Sequence, residues 1–145
     1  MSEWEREQDE IRAVGLRATA SRVAVLRFVR AGARPLTHAE VADGLAREVW
    51  DKATLYRNLT DLSEAGLLRR ISLSDGIRFE DIDGHDTQTP VHFVCSACDA
   101  VQCLDPWPFT PPISADFPKA LSLGQVEVQI RGVCDRCSDP KKNVP

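Results

Sequence analysis

Apolar residues along the first eighty positions recur at helical spacing in three stretches and then at alternate positions. Val25, Leu26 and Val29 share one face of a stretch that opens at Thr19, whose hydroxyl suits an N-cap, and closes at Gly32. Thr37-His38-Ala39-Glu40 has the pattern of a capping box, and Val41, Leu45 and Val49 follow at four-residue spacing. Asp51 caps a third predicted helix whose buried stripe is Leu55, Leu59 and Leu62, with Gly66 ending it. Alternation then takes over. Ile71 and Leu73, a turn at Asp75-Gly76, and Ile77 and Phe79 on the return predict a hairpin. Three helices followed by a hairpin predict a winged helix-turn-helix.

The third predicted helix is the candidate recognition helix, because it follows the second after a short break and carries Lys52, Thr54, Tyr56, Arg57 and Asn58 near its start. Arg57 suits a guanine edge or a phosphate, Tyr56 a thymine methyl or a phosphate oxygen, and Lys52 and Thr54 the backbone. A solvated helix face with Tyr56 packed on the rim accounts for the same residues equally well.

Beyond Glu80 the run Asp81-Ile82-Asp83-Gly84-His85-Asp86 is polar and reads as a hinge, dividing the chain into domains over 1–83 and 84–145. Short strands are expected around Val91 to Val94, Ala100 to Leu104 and Gln125 to Ile130. A Pro-rich loop from Pro106 to Pro112 and a helical segment near Ala115 to Leu121 separate the last two. The fold class is therefore α+β, a winged helix followed by a small α/β lobe. The tail from Ser138 to Pro145 is expected to be disordered.

Two Cys-x-x-Cys pairs bracket that second lobe: Cys95-Ser96-Ala97-Cys98 and Cys134-Asp135-Arg136-Cys137. Together they offer the four thiolates of a closed, structural zinc site, with bonds of about 2.3 Å. A redox dithiol would need one reactive pair opening a helix, and neither pair is expected to do so. Two disulfides, or four unrelated thiols, would also account for the cysteines. So small a lobe buries little apolar surface, and a metal staple would compensate.

The formal net charge of −4 speaks against nucleic acid until it is counted by segment. Residues 1–10 hold five acids and one Arg, residues 11–80 twelve Lys or Arg against eight acids, and residues 81–145 five against nine. The positive charge thus lies with the predicted winged helix. No apolar run approaches the roughly 18 residues of a membrane span, and the polar start Met1-Ser2-Glu3-Trp4-Glu5-Arg6 is unlike a secretory signal. A reducing cytoplasm is expected, with thiols kept for metal.

The order of parts resembles the ferric uptake regulator family of metal-responsive transcription factors. Gly15-Leu16-Arg17-Ala18-Thr19-Ala20-Ser21-Arg22, Ala53-Thr54-Leu55-Tyr56-Arg57-Asn58-Leu59 and Ala65-Gly66-Leu67-Leu68 are similar to its first-helix opening, recognition helix and helix end. His92-Phe93-Val94-Cys95-Ser96-Ala97-Cys98 with Gly132-Val133-Cys134-Asp135-Arg136-Cys137 is similar to its zinc signature. The resemblance implies a homodimer built on the C-terminal lobes, a palindromic double-stranded DNA operator and repression when metal is plentiful. It also implies that Arg17 approaches the minor groove, where Arg is drawn to narrow A·T-rich sequence, and that Tyr56 and Arg57 contact the major groove.

The sensing residues depart from the family's pattern. The His-rich run reads Thr89-Pro90-Val91-His92, and Pro35 stands where a His is usual, with His38 three residues on. Thr89, Val91, Thr110 and Val126 occupy the ligand positions of a further site, which is expected to be absent. Glu80 and His92 match ligands, and Cys103 replaces a Glu, which softens the set toward zinc. His85 completes an expected tetrahedron of Glu80, His85, His92 and Cys103 holding a second zinc or another divalent ion, with His38 as the substitute. This points to the zinc-responsive branch of the family. A metal-independent or thiol- and peroxide-responsive regulator with structural zinc alone is the competing reading. An enzyme is disfavoured because four cysteines leave zinc no open position. A protein-docking module with a winged-helix scaffold is the remaining rival.

Overall fold

The computed structural model describes residues 1–32, 34–82, 91–104, 116–122 and 126–139. The chain forms two compact units, Met1–Gly84 and His85–Pro145.

The first unit runs α1 (Glu3–Ala13), α2 (Ala20–Ala31), β1 (Leu36–Thr37), α3 (His38–Gly44), α4 (Lys52–Glu64), β2 (Leu68–Leu73) and β3 (Gly76–Asp81). Thr19, Thr37 and Asp51 cap α2, α3 and α4 by accepting the backbone N–H three residues on, as the sequence predicts. The core holds the expected Val25, Leu26, Val29, Val41, Leu55, Leu59, Leu62 and Phe79, joined by Ile11, Val23, Leu36 and Leu68.

Three features differ from expectation. First, α1 is an additional helix, with a capping box of Ser2 and Glu5, and it buries Ile11. Second, α3 ends at Gly44 with Leu45 as its C-cap, so the predicted stripe stops short and Val49 is 96% exposed. Third, the wing turns one residue earlier, over Ser74 and Asp75, with Leu73 opposite Gly76 at φ 138°. That register sets Arg69 opposite Glu80, where the two form an ion pair at 3.1 Å. The two-residue β1 adds to the outer edge of β3, giving the sheet order β1-β3-β2.

The second unit holds β4 (Val91–Cys95), β5 (Val101–Cys103), α5 (Lys119–Ser122), β6 (Val128–Gly132) and α6 (Asp135–Ser138). Its sheet runs β5-β4-β6, with β5 antiparallel and β6 parallel to β4. The last expected strand thus begins later and runs two residues further. Ser138 belongs to α6, and residues 140–145 lie outside the described residues, as do the Pro-rich loop, Ala115 and most of the expected hinge. Among the described residues, no helix is long and apolar enough to cross a membrane.

Candidate nucleic-acid interface and four-cysteine metal site

The N-terminal half of α4 presents Lys52, Tyr56 and Arg57 to solvent, with Thr54 half-buried. Asp51 anchors this end. Its carboxylate receives the Thr54 N–H at 2.7 Å, and this bond, with help from Arg57, holds its pKa below the usual value. Asn58 departs from the expected outward position: it is 4% exposed and its Nδ2 donates to Ser21 Oγ at 2.9 Å. One turn of helix separates it from the Leu55 and Leu62 stripe, so its amide ties α4 to α2 and is not available to DNA.

Arg17 lies exposed in the loop between α1 and α2. Arg22 holds that loop: its Nη1 donates to the Arg17 carbonyl and its Nη2 pairs with Asp61 of α4, both at 2.6 Å. The side chains that clamp the loop to α4 were not singled out from the sequence, since Arg22 and Asp61 are 39 positions apart.

Many basic residues of the middle segment are internally committed. Arg27 pairs with Glu3 and Glu7, Arg30 with Glu10 and Asp81, Arg34 with Glu40, Arg69 with Glu80 and Arg78 with Asp75. Among the described residues, Arg17, Lys52 and Arg57 close no salt bridge, so their charge remains available to an outside anion. The acidic helix α1 offsets Arg27 and Arg30, on α2, without touching these three.

The four cysteines converge because β6 runs parallel to β4. Cys95 pairs with Gly132, so each Cys-x-x-Cys pair leaves the same end of the sheet. The Sγ atoms of Cys95, Cys98, Cys134 and Cys137 all lie within 4.8 Å of one another, and Cys98 Sγ is 3.8 Å from Cys134 Sγ. Sulfurs at the corners of a tetrahedron with metal bonds of about 2.3 Å stand roughly 3.8 Å apart, so the set fits a zinc-sized ion. None of the five cysteines is in a disulfide.

Backbone N–H groups prepare the sulfurs. Cys134 N and Ala97 N donate to Cys95 Sγ at 3.3 and 3.4 Å. These donors and the Cys98 N–H, that of Cys134 foremost, lower the Cys95 pKa to about 6, whereas a bond with Cys134 raises that of Cys137 to about 12. Arg136 stands beside the cluster, its own pKa raised chiefly by Cys98, and offsets thiolate charge. The second pair opens only the four-residue α6, with Cys134 at its N-cap, short of the helix a redox dithiol would need. The sulfurs of both pairs meet instead of one pair standing alone.

Of the expected second metal set, Glu80 is buried in β3 and bonded to Arg69 in the first unit. In the second unit, buried His92 lies opposite Cys103 in the β4–β5 register, which puts both side chains on one face of the sheet. His85 lies outside the described residues. His38 has its Nε2 at 2.9 Å from the Lys52 carbonyl oxygen, at the start of α4.

The family model described as the ferric uptake regulator family matches residues 13–106. The transcriptional regulator FurA of Mycobacterium tuberculosis is 30% identical over 135 residues, covering 90% of this chain and 88% of that protein. The ferric uptake regulation protein of Bordetella parapertussis is 33% identical over 101 residues, covering 66% and 69%. Among solved structures, the Helicobacter pylori ferric uptake regulator aligns with a TM-score of 0.68 at 16% identity, over 94% of this chain and 92% of that one. A zinc uptake regulator complexed with zinc and DNA aligns at 0.62 and 19% identity, over 95% and 94%. These structural likenesses speak for the fold, and the sequence matches carry the assignment. The chain belongs to the ferric uptake regulator family of metal-responsive transcriptional regulators and is not an enzyme.

Proposed function

We propose that the protein is a cytoplasmic homodimer that binds a palindromic DNA operator through α4 and represses transcription when metal is plentiful. Lys52, Thr54, Tyr56 and Arg57 would enter the major groove, and Arg17 the adjacent minor groove. The observation that carries this reading is the exposed face of α4, where Lys52, Tyr56 and Arg57 stand together while neighbouring arginines are committed to acids. The zinc uptake regulator that shares the fold was solved with DNA, which supports the same role here.

Cys95, Cys98, Cys134 and Cys137 would hold structural zinc, which supplies a cross-link between the ends of β4 and β6. Glu80, His85, His92 and Cys103 are the proposed sensing set. Its thiolate and imidazole favour zinc over an octahedral, oxygen-rich ion. The facing positions of His92 and Cys103 support it. An ion bound tenfold better by the DNA-competent arrangement would shift the equilibrium by about 1.4 kcal/mol per site, and operator DNA would tighten metal binding equally.

The test is operator affinity against salt, for the wild type and Arg57→Ala, using a duplex selected from a random pool. Affinity should fall steeply with salt, and the variant should bind at least about tenfold more weakly, with a slope smaller by about one if Arg57 meets a phosphate. Unchanged affinity in the variant would remove α4 as the reading helix. Zinc content and operator affinity of a Cys103→Ser, His92→Ala variant separate sensing from structure: one zinc in both proteins, with equal affinity, would eliminate the sensing set.

A further inference from the structure

His38 opens α3 and reaches across to the first turn of α4. Its Nε2 lies 2.9 Å from the Lys52 carbonyl oxygen, and its ring meets that of Tyr56 edge to face, with centroids 5.3 Å apart and planes at 69°. A carbonyl oxygen can accept but not donate, so Nε2 carries the hydrogen. In an α-helix the same carbonyl also receives the N–H four residues on, which is that of Tyr56. The imidazole therefore takes the carbonyl's second lone pair. Lys52 and Tyr56 are neighbours on one helix face, and His38 touches both.

We propose that His38 is a positioning residue for DNA reading: its Nε2–H fixes the first turn of α4, and its ring holds Tyr56 in the orientation presented to DNA. The inference rests on the reading of α4 as the DNA-binding helix. Tyr56 is 46% exposed, and an exposed tyrosine on a helix would otherwise sample several rotamers. Each rotamer given up on binding weakens the complex, so a side chain ordered beforehand binds more tightly at no cost in contacts. Between Gly44 and Lys52 the chain turns with Leu45 and Trp50 packed on the core and Val49 in solvent, and His38 adds a side-chain tie across that connection. It also gives His38 a place on the reading face, distinct from the metal-ligand role that the absent His at Pro35 suggests for it.

The test pairs binding with spectroscopy. Affinities are measured for a duplex selected by the wild type from a random pool and for a scrambled duplex of equal composition. His38→Ala should weaken the selected duplex about three- to tenfold, the loss expected when one rotamer-rich side chain must be ordered on binding. The scrambled duplex should change by less than about twofold, since phosphate contacts are untouched. His38→Gln, whose amide can restore a donor near the Nε2 position, should recover part of the loss. In a Tyr56→Ala background, His38→Ala should add less than about twofold, as coupled residues do. Without DNA, nitrogen-correlated NMR of the neutral imidazole should show the hydrogen on Nε2. Equal losses on both duplexes, full additivity with Tyr56→Ala, or an Nδ1–H tautomer would overturn the positioning role while leaving α4 as reader. Wild-type affinity in both Tyr56→Ala and Arg57→Ala would remove the α4 reading and the proposal with it.

Discussion

Asn58 shows what a single residue's chemistry leaves open. By type it belongs with Tyr56 and Arg57 on the polar face of α4, yet it stands three residues after Leu55 and four before Leu62, and its amide donates to Ser21, 37 positions away, inside the core. Asn58→Ala leaves the Ser21 hydroxyl short of a buried partner and should cost about 1–2 kcal/mol in urea denaturation. The salt slope of DNA binding should stay as in the wild type. Glu7 makes a related point about charge. It sits 8% exposed beneath Arg27, and burial, the largest influence, raises its pKa. A carboxyl with a raised folded pKa favours folding below the unfolded value and loses that contribution as pH rises through the folded one. Glu7→Gln should therefore raise the melting temperature at pH 7, and the difference should shrink as pH falls through the raised pKa and vanish below the ordinary carboxylate range.

At the scale of elements, caps were legible and lengths were not. Thr19, Thr37 and Asp51 each begin a helix where their hydroxyl or carboxylate can take a backbone N–H, a local chemistry that needs no partner elsewhere. Thr37→Ala should cost about 1 kcal/mol, read as a lower denaturation midpoint. The same signal is present at Ser2 and Glu5, with Trp4 and Ile11 on one face, but five acids in ten residues mask it. Partners on α2 make the helix possible, since Arg27 and Arg30 pair with Glu3, Glu7 and Glu10. The end of α3 depends on packing too. A Cβ on Gly44 would fall inside the Phe28 ring, so α2 and α3 approach closely where α3 stops. Gly44→Ala should destabilise by about 1–2 kcal/mol, because the clash outweighs alanine's helical preference of roughly 1 kcal/mol.

For the molecule as a whole, the decisive feature is the parallel pairing of β4 with β6, which carries two distant cysteine pairs to one end of a sheet. Removing metal with a chelator should loosen that sheet, lowering the thermal midpoint and exposing its amides to exchange, because structural zinc contributes folding energy directly. Reloading with zinc should restore both the midpoint and the protection.

By itself the sequence determined the winged-helix order, the caps, the leucine stripe of α4 and the two Cys-x-x-Cys pairs. Each is set by neighbours within a turn or two of chain, where side-chain type and spacing suffice. Tertiary structure alone decided that Asn58 meets Ser21, that Arg22 clamps the Arg17 loop to Asp61, that His38 spans Lys52 and Tyr56, and that four sulfurs meet within 4.8 Å. Those contacts join residues many positions apart, and a partner at that distance is specified by strand pairing and helix packing, which no local pattern encodes.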